Sequence, residues 1–479
     1  MGDDEDLDEE DDEAGGMPGI HTALLDEKAA AVHCIGACAV YGGAIFAPHI
    51  EGVMGPLLEC ADHFHEDVRG ALVRTLSHLL RSCAAAEPPA PWTKGEVPSS
   101  AKLGKATRWL LQRTWRTLVS TFKDDDDKDT VAAAAESISE VVLLLGPHVL
   151  GNAPWHPAST DPLVGGALAL LEQRHACQEM AQDLSEGGGV DEEDDHDEAS
   201  WEAVSELLTA LPKVLGERWA PHLEKLMPAL MPYLREAHPL SDNALAIGIL
   251  AEGLHHIGAE GRRYLPTLLP HALRCSAAGD ATCRQNGVFC LGILGANGGE
   301  AVLPHMQVIL TALQQRLAAD EEPVVRDNAV GALSRLAVTF GTALPLSAIL
   351  PAIAERLPLT ADEGENAPAI RCLARLMHAD ETRPHAVPHL PNLLATIGHL
   401  LAGGVPAAAG GDGKLPGNVE SAGNGATPKC PLDAEIEAEA RAFLAWAAAQ
   451  SPEQMQAAVM GLPARERDAL MSALQQSQG

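Results

Sequence analysis

Aromatic residues are scarce, at 3% of a 479-residue chain. Aromatic and β-branched side chains favour strands, whereas Ala and Leu, which dominate here, favour helices. The ten Cys are scattered and form no CxxC pair. That excludes a dense disulfide framework and leaves reduced thiols as the default. Cys34 and Cys38 stand one helical turn apart and read as small buried residues on one face. No secretory segment opens the chain, and no run of ~18 uncharged apolar residues occurs, so no membrane span is expected. Catalytic signatures are missing too. There is no Gly-rich phosphate loop after a strand, no nucleophile elbow and no His-Glu-x-x-His. The glycines of 292–299 read as part of a helix and its end. Neither an enzyme nor a cofactor is expected.

Positive charge is short: 33 Lys and Arg stand against 67 Asp and Glu, for a net charge of −34. Part of the excess sits in runs. Every residue from Asp3 to Glu13 except Leu7 is acidic, and a second run spans Asp191 to Glu198, broken by His196. About half of the excess remains when both runs are set aside. Such a surface repels nucleic acid and anionic lipid and draws in basic ligands.

What the chain does have is apolar content, 46%, and a repeat. A single core stops growing near ~250–300 residues, so a chain of this length splits into domains or extends as an array. A proline recurs before an apolar helix at Pro221, Pro266, Pro304, Pro345 and Pro388, with an earlier copy at Pro48. The spacing falls near the ~40–47 residues of HEAT and armadillo units. Proline fits the first turn of a helix and displaces the residue before it from helical geometry, so each X-Pro is read as a helix start. Second helices align as well. Val288, Leu291 and Leu294 match Val330, Leu333 and Leu336 as an apolar stripe at helical spacing. The expected fold is all-α, a HEAT-repeat superhelical solenoid. Residues 1–19 read as an acidic disordered segment and 20–402 as the array. Within the array, 87–104 reads as a flexible insert and 186–199 as an acidic loop. A Gly/Pro/Ala-rich linker at 403–431 precedes two capping helices in 432–479.

Four stretches go beyond a generic repeat: Ile20 to Ala31 just after the acidic run, Ala246 to Glu252, Val325 to Leu333, and Ser451 to Leu474. Their order and spacing resemble the C-terminal half of the karyopherin-β (importin-β) family. That resemblance implies a nuclear import receptor shuttling between cytoplasm and nucleus. It implies basic protein cargo, such as histones and ribosomal proteins, and contact with Phe-Gly nucleoporins. Ran-GTP is a partner of the full-length family, through N-terminal repeats that this chain lacks. Nucleic acid and membrane are not expected partners. The alternatives are a HEAT scaffold or a histone chaperone without transport activity.

The candidate cargo-binding set is Asn286, Asn328, Glu252, Glu136, Glu140, Asp242, Asn243 and Asp327. An Asn on a second helix can offer a donor and an acceptor to a peptide backbone, or it can tie its own turn. Glu136 and Glu140, one turn apart, suit a cationic side chain between them, and unpartnered they repel mildly. Arg69 and Arg326 read as structural bridges to acids of the next repeat. Glu321 and Glu322 read as solvated turn residues. The pairs His63–His65 and His255–His256 lack partners at ligand spacing, so no metal is expected.

Overall fold

The computed structural model describes residues 18–150, 160–178, 193–403, 434–450 and 452–476. The acidic segment up to residue 17, the acidic loop up to residue 192 and the 404–433 linker lie outside them. Among the described residues there is no β-strand. The chain divides into two units, Met1–Ala210 and Leu211–Gly479.

In the first unit, helices Pro18–Gly42, Glu66–Ala86 and Lys128–Leu145 lie side by side. In the second, Leu240–Ile257, Ala281–Gly298, Pro323–Phe340 and Asn366–His378 do the same. These are the second helices of successive hairpins. Shorter first helices, such as Leu265–Cys275 and Met306–Gln315, form the other layer. The aligned stripe is core: Val288, Leu291, Leu294, Val330, Leu333 and Leu336 are all buried. Each such Leu or Val contributes about 1.5–3 kcal/mol by leaving water. Small residues set the approach of the backbones. A Cβ on Gly292 would stand 2.8 Å from the Ala332 Cα of the next second helix.

The prolines mark helix starts, but not by the expected mechanism. Pro221 and Pro266 lie in the first turn of their helices, and the residues before them, Ala220 and Leu265, are already helical. A 3-10 turn runs straight into each helix and holds them there. Only Leu344, before Pro345, is extended as expected. The sharper punctuation is glycine. Gly216, Gly258, Gly299 and Gly341 each follow a second helix with φ between +50° and +58°. A left-handed residue at this position ends a helix without steric cost only if it lacks a Cβ.

Turns of neighbouring repeats are tied by charge. Arg69 grips Asp125 through two 2.8 Å hydrogen bonds and reaches Asp126 at 2.9 Å, which fits its structural reading. Arg326 departs from expectation: its guanidinium donates to the Ala319 carbonyl at 2.8 Å rather than to an acid. Glu321 corrects the reading of a solvated turn. Its side chain is 7% exposed and takes hydrogen bonds from Arg284 and Arg316, each at 2.8 Å.

The 87–104 segment, expected to be a flexible insert, is laced to its surroundings. Ala90 N–H donates to the Lys102 carbonyl, Ser99 N–H to His148 Nδ1, and Ala106 N–H to the Glu87 carboxylate. The Trp92 ring lies where a Cβ on Gly146 would project. The later part of the acidic loop is helical instead, since a helix runs from Glu193 to Leu215. The expected second capping helix is two, Pro452–Met460 and Ala464–Gln476, broken at Gly461–Pro463.

Among the described residues, three stretches are long and apolar enough to cross a membrane by length and composition: Leu24–Ile45, Lys128–Val149 and Ala281–Gln315. This revises the expectation of none. A second helix flanked by neighbours on both sides is apolar around most of its circumference. Lys128–Val149 and Ala281–Gln315 bury 78% and 56% of their apolar windows inside the protein, but Leu24–Ile45 buries 22%. Cys34 and Cys38 on that helix are exposed rather than buried.

Candidate functional site

Packing leaves one row of each second helix in contact with solvent, and the polar side chains on these rows form a distinct surface in each unit. In the first unit, Glu136 and Glu140 project from Lys128–Leu145, and Glu202 lies exposed on Glu193–Leu215. Glu140 accepts a hydrogen bond from Ser77 Oγ at 3.1 Å. Partial burial pushes the Glu136 carboxyl above its ordinary value. Arg74 pulls it back, and the like charges of Glu140 and Glu202 push it further up. Removing a carboxylate from water and crowding it with others both disfavour ionisation. The three acids thus form a cluster whose repulsion an incoming cation would relieve.

In the second unit the acids are held by cations at closer range. Glu252 takes a hydrogen bond from His256 Nε2 at 3.2 Å and lies 3.5 Å from Lys213 Nζ. Burial opposes ionisation of Glu252, but the His256 hydrogen bond and the charges of Lys213, His256 and His255 outweigh it and hold the carboxyl at about 2. On the adjacent helices, Phe289 stacks on His255 with ring centroids 5.9 Å apart and carries the Arg335 guanidinium 5.1 Å above its ring. Arg335 in turn forks onto Glu365 at 2.7 and 2.9 Å. Burial pushes the Glu365 carboxyl up, and Arg335 opposes it. Gly331 makes room for that carboxylate, which occupies the place of a Cβ.

The structure sorts the sequence-derived candidates. Glu136, Glu140 and Glu252 lie on the open rows. Asn286, Asn328, Asn243 and Asp327 all hydrogen-bond within the protein, which is the alternative that the sequence left open for the asparagines. Asn286 donates to the Ala244 carbonyl of the preceding second helix at 2.8 Å. Asn328 is buried and donates to the Val324 carbonyl and the Asp362 carboxylate. Asn243, fully buried, ties four carbonyls of the preceding turn, at Tyr233, Arg235, His238 and Pro239. Asp327 accepts from the Ala361 and Asp362 amides, while burial raises its carboxyl. Asp242 lies at the helix start, 3.4 Å from His238 Nδ1. Glu202, Phe289, Arg335 and Glu365 escaped sequence reasoning. Arg335 and Glu365 lie thirty positions apart, so no local pattern links them; repeat phase alone points to these rows. No group of three or more His, Cys, Asp or Glu among the described residues is arranged to hold a metal.

Comparison with known proteins gives a consistent picture. No family model matches the chain. It is 26% identical to human importin-4 over 344 residues, covering 72% of this chain and 30% of that one. It is 24% identical to a probable importin subunit beta-4 of Schizosaccharomyces pombe over 409 residues, covering 82% and 37%. The chain thus spans about a third of the length of the curated relatives it matches. Among solved structures, Kap121p bound to RanGTP superposes with a TM-score of 0.59 at 16% identity, covering 81% of this chain and 35% of that one. Kap121p bound to Pho4p does so with a TM-score of 0.58 at 17% identity over the same shares.

Proposed function

We propose that this chain, importin-4-like in sequence and built on the karyopherin HEAT solenoid, binds basic segments of protein cargo for nuclear import. The binding surface is the open row of its first unit. The observation that carries this reading is the Glu136–Glu140–Glu202 cluster. A Lys or Arg joining Arg74 among these three exposed carboxylates gains attraction from each and relieves their mutual repulsion, at about 0.2–1 kcal/mol per pair. Lysine-rich proteins such as histones and ribosomal proteins fit that chemistry. The acidic runs Asp3–Glu13 and Asp191–Glu198 add long-range attraction.

Related proteins support the transport reading. The relatives carry import-receptor names, and Kap121p has been solved with RanGTP and with Pho4p. Contact with Phe-Gly nucleoporins, release by Ran-GTP and shuttling between cytoplasm and nucleus belong to the proposal as properties of a longer receptor. A scaffold reading draws on the second unit, where Glu252 and Glu365 are already paired within the protein and offer a basic ligand little. The test is a titration of a lysine-rich and a glutamate-rich peptide against the chain at about 0.1 and 0.3 M salt, between which screening shortens the reach of charge. Tight, salt-sensitive binding of the lysine-rich peptide alone supports cargo capture. Equal binding of both peptides supports the scaffold.

A further inference from the structure

One helix of the first unit carries charge of the opposite sign to the chain. Lys105–Asp124 is the first helix of the hairpin that Lys128–Leu145 completes. It holds five Lys or Arg and a single acid, Asp124, at its last position. One side is core, where Leu110, Leu111, Trp115, Leu118 and Phe122 are buried. On the other side Lys105, Gln112, Arg113, Arg116 and Ser120 are exposed, with Trp109 half-exposed among them. These positions recur every three or four residues and share one face. Arg113 lies over the Trp109 ring, 4.1 Å from its centroid, and donates to the Trp109 carbonyl at 3.2 Å.

The fold does not ask for this charge. Lys105 opens the helix at its positive end, where a cation is unfavourable, and no acid occupies the first turn. Arg113 and Arg116, three positions apart, repel mildly. The first helices Met306–Gln315 and Leu346–Ala354 contain no Lys or Arg. Structural arginines of this chain, such as Arg69, Arg284 and Arg335, each hold an acid. Lys105, Arg108, Arg113 and Arg116 hold none among the described residues. The surrounding acids are engaged or lie at the ends. Glu87 takes the Ala106 amide at 3.2 Å, and Glu96 pairs with Lys102. Past the other end, Asp124 stands 3.8 Å from Lys123, and Asp125 and Asp126 grip Arg69. Asp127 caps the following helix at Thr130, and Asp129 lies in its first turn. On and after the next first helix stand Asp161 and Glu172, the latter 2.6 Å from Arg174.

We infer that the outer stripe of Lys105–Asp124 is a docking site for a short acidic segment of a partner protein. From Lys105 to Arg116 the stripe runs about 16 Å, the reach of about five extended residues. Carboxylates of the segment would accept from the Arg113 and Arg116 guanidinium groups, and Trp109 holds the first of these in place. The acids at the two ends select the ligand. A nucleic acid or an anionic bilayer extends past the stripe onto Glu87 and Asp124–Asp127, whereas a short peptide stops between them. The stripe lies in the layer of first helices, away from the open row of Glu136 and Glu140. It takes ligands of the opposite charge and does not rest on the cargo reading.

The experiment titrates the whole chain with a short glutamate-rich peptide and its glutamine counterpart at about 0.1 M salt. The glutamate-rich peptide is expected to bind at least about tenfold more tightly than the glutamine one, a margin that a few surface ion pairs supply. It is expected to bind more weakly than a lysine-rich peptide, since the net charge of the chain opposes it. The Arg113→Glu, Arg116→Glu double variant is expected to abolish the preference for glutamate, and Arg113→Gln with Arg116→Gln to reduce it. Both pairs of substitutions are on exposed positions, and the melt of each variant is expected to match the parent. Capture of the lysine-rich peptide is expected to persist in both, which separates this site from the acidic row. Equal binding of the two peptides overturns the inference. So does a glutamate preference that survives in the folded double variant. Two further results overturn it by naming another occupant. One is an oligonucleotide or anionic phospholipid vesicles outbinding the peptide in a manner that the double variant abolishes. The other is a dimer in sedimentation that the double variant dissolves.

Discussion

Arg284 and Glu321 sit on the turns of successive repeats, and the Nη2 and Nε of the first stand 2.8 and 3.1 Å from one carboxylate oxygen of the second. The other oxygen takes Arg316 at 2.8 Å. One nearly buried carboxylate therefore joins two turns. Removing it leaves two guanidinium groups without their counter-charge, a loss on the order of 3–5 kcal/mol for a buried pair broken from one side. Glu321→Ala is expected to lower the melting temperature more than Arg284→Ala, which leaves Glu321 its Arg316 partner. Thermal unfolding of the two variants checks the order.

Gly331 gives a second prediction. The Glu365 carboxylate occupies the space of its missing side chain and grips Arg335 there. Gly331→Val is expected to displace Glu365, at about 1–3 kcal/mol for overpacking. Gly165, with open space around its Cβ position, is the control, and Gly165→Ala is expected to be near neutral. Circular dichroism melts distinguish the two.

Glu252 sets a pH dependence. Its folded carboxyl is held at about 2 against an ordinary value of 4.5. A depressed acid stabilises the fold above its unfolded value and loses that contribution as pH falls through the folded one. Glu252→Gln is therefore expected to be less stable than the parent at pH 7. The gap is expected to narrow as pH falls from 4.5 toward 2. A gap that stays constant across this window would show that Lys213 and His256 do not act through the carboxylate charge.

Asn243 and Asn328 separate scaffold from binding. Asn243→Ala removes a buried amide that braces the preceding turn, whose Arg235 and Pro239 carbonyls keep the backbone N–H groups of His238 and Asn243, at about 1–3 kcal/mol. It is expected to lower stability while leaving the affinity for a lysine-rich peptide unchanged, measured well below its melting point.

The repeat was legible in the sequence because it is written in local signals: the recurrent prolines and the 288–291–294 stripe matched by 330–333–336. The glycines that end the second helices, at 216, 258, 299 and 341, were equally local and gave a cleaner register than the prolines, which sit variously in the helix, its cap or the preceding turn. The open-row acids Glu136, Glu140 and Glu252 were visible as polar positions on apolar helices. The role of the asparagines stayed open in the sequence because a polar residue at a repeat junction looks the same whether it points outward or closes a turn. Glu321 was misread for a related reason. Its partner Arg284 lies one repeat away, and only the stacked structure brings the two turns together.

If Glu136, Glu140 and Glu202 of the first unit receive basic cargo, reversing their charge must weaken its capture. The most direct test is the affinity of the chain for a lysine-rich histone-tail peptide before and after the Glu136→Lys, Glu140→Lys, Glu202→Lys substitution, with folding verified by its melt. A loss of roughly a hundredfold or more is expected, since each reversed close pair near the surface is worth about 1 kcal/mol or more. Much of the salt dependence is expected to disappear with the affinity. Unchanged affinity in a folded triple variant would contradict it and place basic cargo elsewhere on the chain.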